Sequence, residues 1–271
     1  MRRIVPTTAL LAGLLILLSP ECLREVPTRD ESAREVVEHS RFIQFRGRML
    51  PFSAFYKHVR MFNWVVYLQK TWPHITPGTC LINIDYHSDA YGGMVMENTF
   101  EDYRDLRGLN SGNWIRFLRV NNLCTGRIVL VTCPVLLQRI QVDRRALPAN
   151  DLLQPASEYD DNWIFGDDLF CDIEALRNAG ISGPAIVTID YDYLAGNEEP
   201  ADAAAVRRKA RTIAEALFND DIVPVAVNFT FSDRPDKTTD SPAFVYPILR
   251  DFVSRCLVDA FNARGAYFEF N

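Results

Sequence analysis

The pentapeptide Asp85-Tyr86-His87-Ser88-Asp89 carries three metal-ligand side chains at alternate positions, directly after the apolar run Leu81–Ile84. A second, β-branched run, Ala185–Ile189, ends later in the chain in Asp190-Tyr191-Asp192. Side chains of an extended segment alternate with period two, so Asp85, His87 and Asp89 are expected to project to one side of a strand end. Two such strands side by side would bring four carboxylates and an imidazole into one crevice. Anions packed that closely need a cation to offset their repulsion, because otherwise they take up protons. Either motif alone also reads as an ordinary polar loop after a strand. Two of them, both after strand-like runs and both made of hard or borderline ligands, point to a divalent metal site.

The scaffold that must position them is an α/β domain. With 271 residues, 48% of them hydrophobic and 24% charged, the chain suits one large domain or two small ones with a sizeable core. A net charge of -6 argues against a nucleic-acid partner, which calls for a basic face. Met1-Arg2-Arg3 followed by the apolar run Ile4–Leu18 has the charged start and apolar centre of a secretory signal and is short for a membrane span. Residues 1–22 are therefore read as a signal peptide or N-terminal membrane anchor, which implies export, residues 23–40 as a charged linker passing into a short surface helix, and 41–271 as one domain. The context of Cys22, with Pro20 and Glu21 before it, does not suit lipid attachment. None of the six cysteines forms a Cys-x-x-Cys pair; export would permit one or two disulfides, but Cys80, Cys124 and Cys133 lie in apolar runs where buried free thiols are commoner.

In chain order, Phe42–Phe45 and Met49–Phe55 read as strand-like. Residues 61, 62, 65, 66 and 68 have helical spacing, and His58 at the start of that helix is a cap, a surface residue or a ligand. Pro73 and Pro77-Gly78 stop the helix. Asn113–Leu118 reads as a short helix, Arg127–Thr132 as a strand and Asp172–Ala179 as a helix. Ala201–Asn219 is amphipathic, with Ala204, Ile213, Ala214 and Leu217 on the apolar face and Arg207, Arg208, Lys209 and Arg211 on a solvated one. Ile222–Phe231 is a buried strand, Phe244–Phe261 a helix and Ala266–Phe270 an edge strand. Strands alternating with helices mean a mostly parallel sheet covered on both faces.

Asp85-x-His87-x-Asp89 and Asp190-x-Asp192 together resemble the ureohydrolase superfamily of arginases and agmatinases, whose fold is shared by histone deacetylases. His58 before a helix, Asn113 to Ile115, and Ile189 to Tyr193 are similar to the branch that includes peptide arginases. The resemblance spans roughly residues 40 to 250 and implies a three-layer α-β-α fold, with a two-manganese cluster at the C-terminal edge of the sheet. Carried over by position, it implies that Asp85 and Asp190 bridge two ions, with His58 and Asp89 completing one shell and His87 and Asp192 the other. Mn²⁺ suits that oxygen-rich shell, and Fe²⁺ or Zn²⁺ would be accepted by the same groups.

The reaction implied is metal-dependent hydrolysis of a linear C–N bond in a small-molecule or peptide substrate, centred on Asp85, His87 and Asp190. Water shared between two divalent ions has a lowered pKa and can attack a guanidinium or amide carbon. The sequence departs from arginases in lacking a shuttle histidine after the first motif: His39 and His74 are the two histidines left over, and both precede it. Asp233, Asp236 and Asn113 are the candidate substrate contacts, with Glu101 a further acidic one. Two other readings stay open: an amide hydrolase of the deacetylase type using one ion at Asp85, His87 and Asp190 or Asp192, and an exported metal-binding domain without turnover.

Overall fold

Continuous apolar runs become strands covered on both faces, and the two runs that carry the acidic motifs lie side by side near the middle of an eight-stranded sheet. The structure, a computed structural model, describes residues 33–87, 89, 109–132, 137, 169–178, 180–195, 202–231 and 245–270. The strands are β1 (Ser40–Phe45), β2 (Arg48–Phe55), β3 (Cys80–Ile84), β4 (Ile128–Val131), β5 (Leu169–Cys171), β6 (Gly183–Asp190), β7 (Ile222–Thr230) and β8 (Ala266–Phe270). The helices are α1 (Ala33–His39), α2 (Arg60–Thr71), α3 (Trp114–Val120), α4 (Ile173–Leu176), α5 (Tyr191–Ala195), α6 (Ala203–Leu217) and α7 (Val245–Asn262).

The order β5-β4-β3-β6-β7-β2 is parallel throughout, and β1 and β8 extend it antiparallel beyond β2. β1 turns into β2 through Arg46 and Gly47, both at positive φ (48° and 73°), the conformation whose twist suits a two-residue hairpin. From β3 the chain builds outward through β4 and β5, then returns to place β6 on the other side of β3. Strand order reverses between β3 and β6, and in open parallel sheets the crevice beyond the carboxyl ends at such a reversal is where ligands bind. Both acidic motifs sit there.

Alternation along the central strands builds two cores. Ile82, Ile84, Val187 and Ile189 pack on one face with Val206, Ala210, Ile213 and Leu217 of α6 and Val253, Leu257 and Phe261 of α7. Leu81, Leu130 and Ile186 pack on the other with Met61, Val65 and Leu68 of α2 and Trp114 and Phe117 of α3. The expected three-layer α-β-α arrangement with a mostly parallel sheet is what these contacts describe. The helix foreseen within the charged 23–40 stretch is α1, and it delivers Ala33 and Val37 to the first core, so packed structure begins before residue 41. On α6, Asp202 accepts from Ala204 N at 3.0 Å, a helix-start contact worth about 1 kcal/mol. Ala204, expected on the apolar face, is exposed, because the buried stripe starts at Val206. Lys209 is drawn off the solvated face to donate to Tyr193 O at 2.8 Å.

Cys80, Cys124, Cys171 and Cys256 are free thiols; Cys22 and Cys133 lie outside the described residues. No helix among the described residues is long and apolar enough to cross a membrane, and residues 1–22 lie outside them.

Gly126, just before β4, packs against the turn before β3. Its backbone N–H donates to Pro77 O at 3.0 Å, and a Cβ there would run into the backbone of Gly78 and meet Thr79 O at 2.8 Å. Backbone cannot swing away as a side-chain tip can. Gly126→Ala is therefore expected to destabilise the fold by about 1–3 kcal/mol or more, read as a lower urea midpoint; an unchanged midpoint would mean the two turns are not locked together.

Candidate metal centre

Strand β3 ends at Ile84, so Asp85, His87 and Asp89 are not presented by an extended segment as their alternation suggests. The chain turns instead. Asp85 Oδ1 accepts from His87 N at 2.7 Å, curling the backbone back on the strand end, and Asp89 reaches positive φ (52°). The second motif does the same: β6 ends at Asp190, whose Oδ1 accepts from Asp192 N at 3.2 Å, and Asp192 lies in the helical turn α5. A carboxylate that caps its own i+2 amide is a common turn device, and it competes with strand continuation. The neighbouring register Ile84↔Ile189 sets Asp85 and Asp190 next to each other. The two turns are also tied together, since Tyr86 N donates to Asp192 Oδ1 at 3.3 Å.

His58 reaches the cluster from the α2 side of the sheet. It precedes α2, whose first turn is started by Met61 N donating to His58 O at 2.9 Å. The ring is 2% exposed, with Nδ1 at 2.6 Å from Asp89 Oδ2, 3.0 Å from Asp85 Oδ2 and 3.4 Å from Asp190 Oδ2. His87 is more open, 38% exposed, with Nδ1 at 3.0 Å from Asp192 Oδ2 and 3.7 Å from Asp85 Oδ1.

Among the described residues, two groups thus have ligand atoms close enough to hold an ion: His58, Asp85 and Asp190, buried, and Asp85, His87 and Asp192, partly open. Asp85 belongs to both, one carboxylate oxygen facing each imidazole. Asp190 joins the buried group only.

The donor set suits a hard or borderline cation. His58 Nδ1 and Asp85 Oδ2 are buried without a hydrogen-bond partner among the described residues, although each lies within reach of the other's charge. Such orphaned atoms are costly unless something sits between them.

Without a cation the site holds protons instead. Burial and the adjacent Asp85 charge push the Asp89 carboxyl up to about 7, and the same two causes raise Asp192. Contact with Asp192 and Asp85 pushes His87 up to about 11. Burial alone would lower His58, but Asp89 and Asp85 outweigh it and hold the ring well above its ordinary 6.5. Burial alone would raise Asp85, but the two imidazoles hold it below the usual carboxylate range.

Groups with raised pKa values bind protons that a cation must displace. Divalent-ion affinity is therefore expected to fall as pH drops through about 7 and to rise above it. Mn²⁺ titrations at about pH 6 and about pH 8 check this, and equal affinities would contradict it.

Of the expected site residues, His58, Asp85, His87, Asp89, Asp190 and Asp192 converge. Asp233, Asp236 and Glu101 lie outside the described residues. Asn113 is buried just before α3, and its Oδ1 accepts from Asn110 N at 2.8 Å.

Trp114 and Ile115, next in this segment, touch the cluster. The Trp114 Nε1–H donates to Asp89 Oδ2 at 2.7 Å, its ring lies 5.1 Å from that of His58, and the next amide, Ile115 N, donates to Asp89 O at 3.3 Å. Sequence reasoning also passed over Thr188, whose Oγ1 meets His58 Nε2 at 2.8 Å. A hydroxyl inside an otherwise apolar strand was the available signal.

No family model matches the chain, and no curated protein matches it. Among solved structures it is similar to a hypothetical agmatinase from Burkholderia thailandensis (12% identity, TM-score 0.43), covering 86% of this chain and 65% of that one. It is also similar to a candidate agmatinase from Clostridium difficile (13%, TM-score 0.40, 85% of this chain and 77% of that one). A third is an arginase from Medicago truncatula (14%, TM-score 0.40, 78% and 60%).

Proposed function

We propose that this protein is a metal-dependent hydrolase of linear C–N bonds that takes two divalent ions and acts on a guanidino group, with Mn²⁺ the ion that best suits its ligands. The observation that carries the reading is the sharing of Asp85 between a buried and a partly open His/carboxylate group, at the strand-order reversal of a parallel sheet. His58, Asp85, Asp89 and Asp190 would hold the inner ion, and Asp85, His87 and Asp192 the outer one. Bound there, divalent ions supply Lewis acidity and lower the pKa of water to near neutrality.

The chain's own groups do the rest. Asp85 sets the spacing of the two positions. His87 stands at the solvent-facing rim, where substrate arrives, and its Nδ1 is held by Asp192. Trp114 and His58 close the inner side against water. Asn113, Asp233 and Asp236 are the proposed contacts to substrate.

The open group favours a second reading. Asp85, His87 and Asp192 alone make a one-ion site, which suits an amide hydrolase of the deacetylase type. A Mn²⁺-loaded sample screened against arginine, agmatine and arginine-containing peptides is expected to release urea. Release of an acyl group from acyl-lysine substrates instead would favour the one-ion reading, and bound metal with turnover of neither class would leave a binding domain.

A further inference from the structure

Four polar side chains form one transverse row across the centre of the sheet. The register pairs Asn83 of β3 with Thr188 of β6, Thr188 with Asn228 of β7, and Asn228 with Ser53 of β2. All four are buried. Leu81, Ile186 and Ala226, two residues earlier on β3, β6 and β7, pack against α2 and α3, so by alternation Asn83, Thr188 and Asn228 face the same side. That is the side from which His58 enters.

The hydrogen bonds along this row have a direction that can be worked out from their far end. Asn228 Nδ2 donates to Ser53 O at 3.2 Å and to Ser53 Oγ at 3.0 Å. A backbone carbonyl only accepts, so the amide nitrogen must face Ser53 and the amide oxygen must face the other way. Asn228 Oδ1 then receives both nearby hydroxyls, Thr188 Oγ1 at 2.9 Å and Thr230 Oγ1 at 2.9 Å. Thr188 has one hydroxyl proton, and it is used on Asn228. Toward His58 Nε2, at 2.8 Å, Thr188 Oγ1 offers only lone pairs, so Nε2 carries the hydrogen. When the ring gives up its second proton to a cation it keeps one N–H, at Nε2, and Nδ1 is left with its lone pair aimed to where the oxygens of Asp85, Asp89 and Asp190 converge.

We propose that Ser53, Asn228 and Thr188 form a fixed relay that sets the His58 tautomer and ring orientation, so that Nδ1 is presented as a cation ligand. This rests on the metal reading above. Thr188 and Asn228 are positioning residues: neither touches the ion or substrate, and each acts through the ring. Outer partners that fix a ligating histidine typically change metal affinity by about 10- to 100-fold when removed. Asn83 occupies the same row without joining the relay, as its amide makes no hydrogen bond among the described residues.

The test uses full-length protein loaded with Zn²⁺, a diamagnetic probe, with ¹⁵N-histidine labelling. Long-range ¹H–¹⁵N spectra of the wild type are expected to show His58 protonated at Nε2 and not at Nδ1. Thr188→Val, which keeps the branched shape and removes the oxygen, is expected to weaken Zn²⁺ binding by about 10- to 100-fold and, because buried His58 Nε2 and Asn228 Oδ1 each lose a partner, to lower the metal-free thermal midpoint as well. Thr188→Ser, which restores the oxygen, should recover the affinity.

Wild-type His58 protonated at Nδ1, or Thr188→Val binding Zn²⁺ as tightly as wild type, overturns the relay and leaves the metal centre standing. Wild type that takes up no Zn²⁺ overturns the metal reading and the relay with it. The tautomer measurement needs no variant, so it decides even if Thr188→Val does not fold.

Discussion

Asp85→Asn is expected to abolish divalent-ion uptake at both positions of the cluster, because each group of ligands depends on one oxygen of this carboxylate. The loss should exceed the roughly 10- to 100-fold that removing an outer partner costs. Asp190→Asn is the informative contrast: it removes a ligand from the buried group and leaves Asp85, His87 and Asp192 in place, so one ion should still bind, weakly. A second consequence needs no metal. Burial and the Asp85 charge hold the Asp89 carboxyl up near 7, so with residue 85 neutral Asp89 should titrate lower, visible in carboxyl ¹³C shifts. If Asp85→Asn keeps both ions, the shared-ligand geometry is wrong.

The next largest effect is expected at Trp114. The indole has no exposed surface and packs in the α2/α3 core, so Trp114→Ala should cost about 3–5 kcal/mol from lost contacts and the cavity left behind. Trp114→Phe separates packing from hydrogen bonding. It keeps most of the ring but removes the indole donor to Asp89 Oδ2, at a cost of about 1–3 kcal/mol for the lost buried hydrogen bond. Without the indole, Asp89 keeps its 2.6 Å contact with His58 Nδ1 and the bond from Ile115 N at its backbone, but its carboxylate loses one of the two groups that orient it. Urea denaturation should therefore show a larger loss for Ala than for Phe, while both variants bind Mn²⁺ more weakly than wild type. Wild-type Mn²⁺ affinity in Trp114→Phe would show that the indole N–H serves packing alone.

Much of this was legible in the chain, for physical reasons that differ by element. β3 and β6 could be read because strands covered on both faces are apolar throughout, and helices α2 and α6 because a 3.6-residue repeat survives in their sequences. The acidic tips could be located but not shaped. Period-two reasoning assumes an extended backbone, whereas Asp85 and Asp190 each accept the amide two residues on and bend the chain out of the sheet. The convergence foreseen for Asp85, His87 and Asp89 therefore occurs through a turn rather than along a strand.

His58 was ambiguous in sequence, because it follows β2, and β2 is separated from β3 and the first motif by β6 and β7 in the sheet order. Its partnership with Thr188, that of Thr188 with Asn228, and that of Asn228 with Ser53 join three separate segments, β2 with the turn after it, β6 and β7. A register across three strands is a property of the assembled sheet, and nothing in any one segment encodes it. The mid-strand polar residues were the visible trace, since a buried hydroxyl or amide in an apolar run needs a partner somewhere.

The central claim is that two His/carboxylate groups share Asp85 around divalent cations. The most direct test is elemental analysis of purified protein equilibrated with Mn²⁺, run beside Asp85→Asn and Asp190→Asn. Two ions per chain in the wild type, none in Asp85→Asn and at most one in Asp190→Asn is the expected result. Wild-type protein that holds no divalent ion after equilibration, or an Asp85→Asn variant that holds as many as wild type, would contradict it.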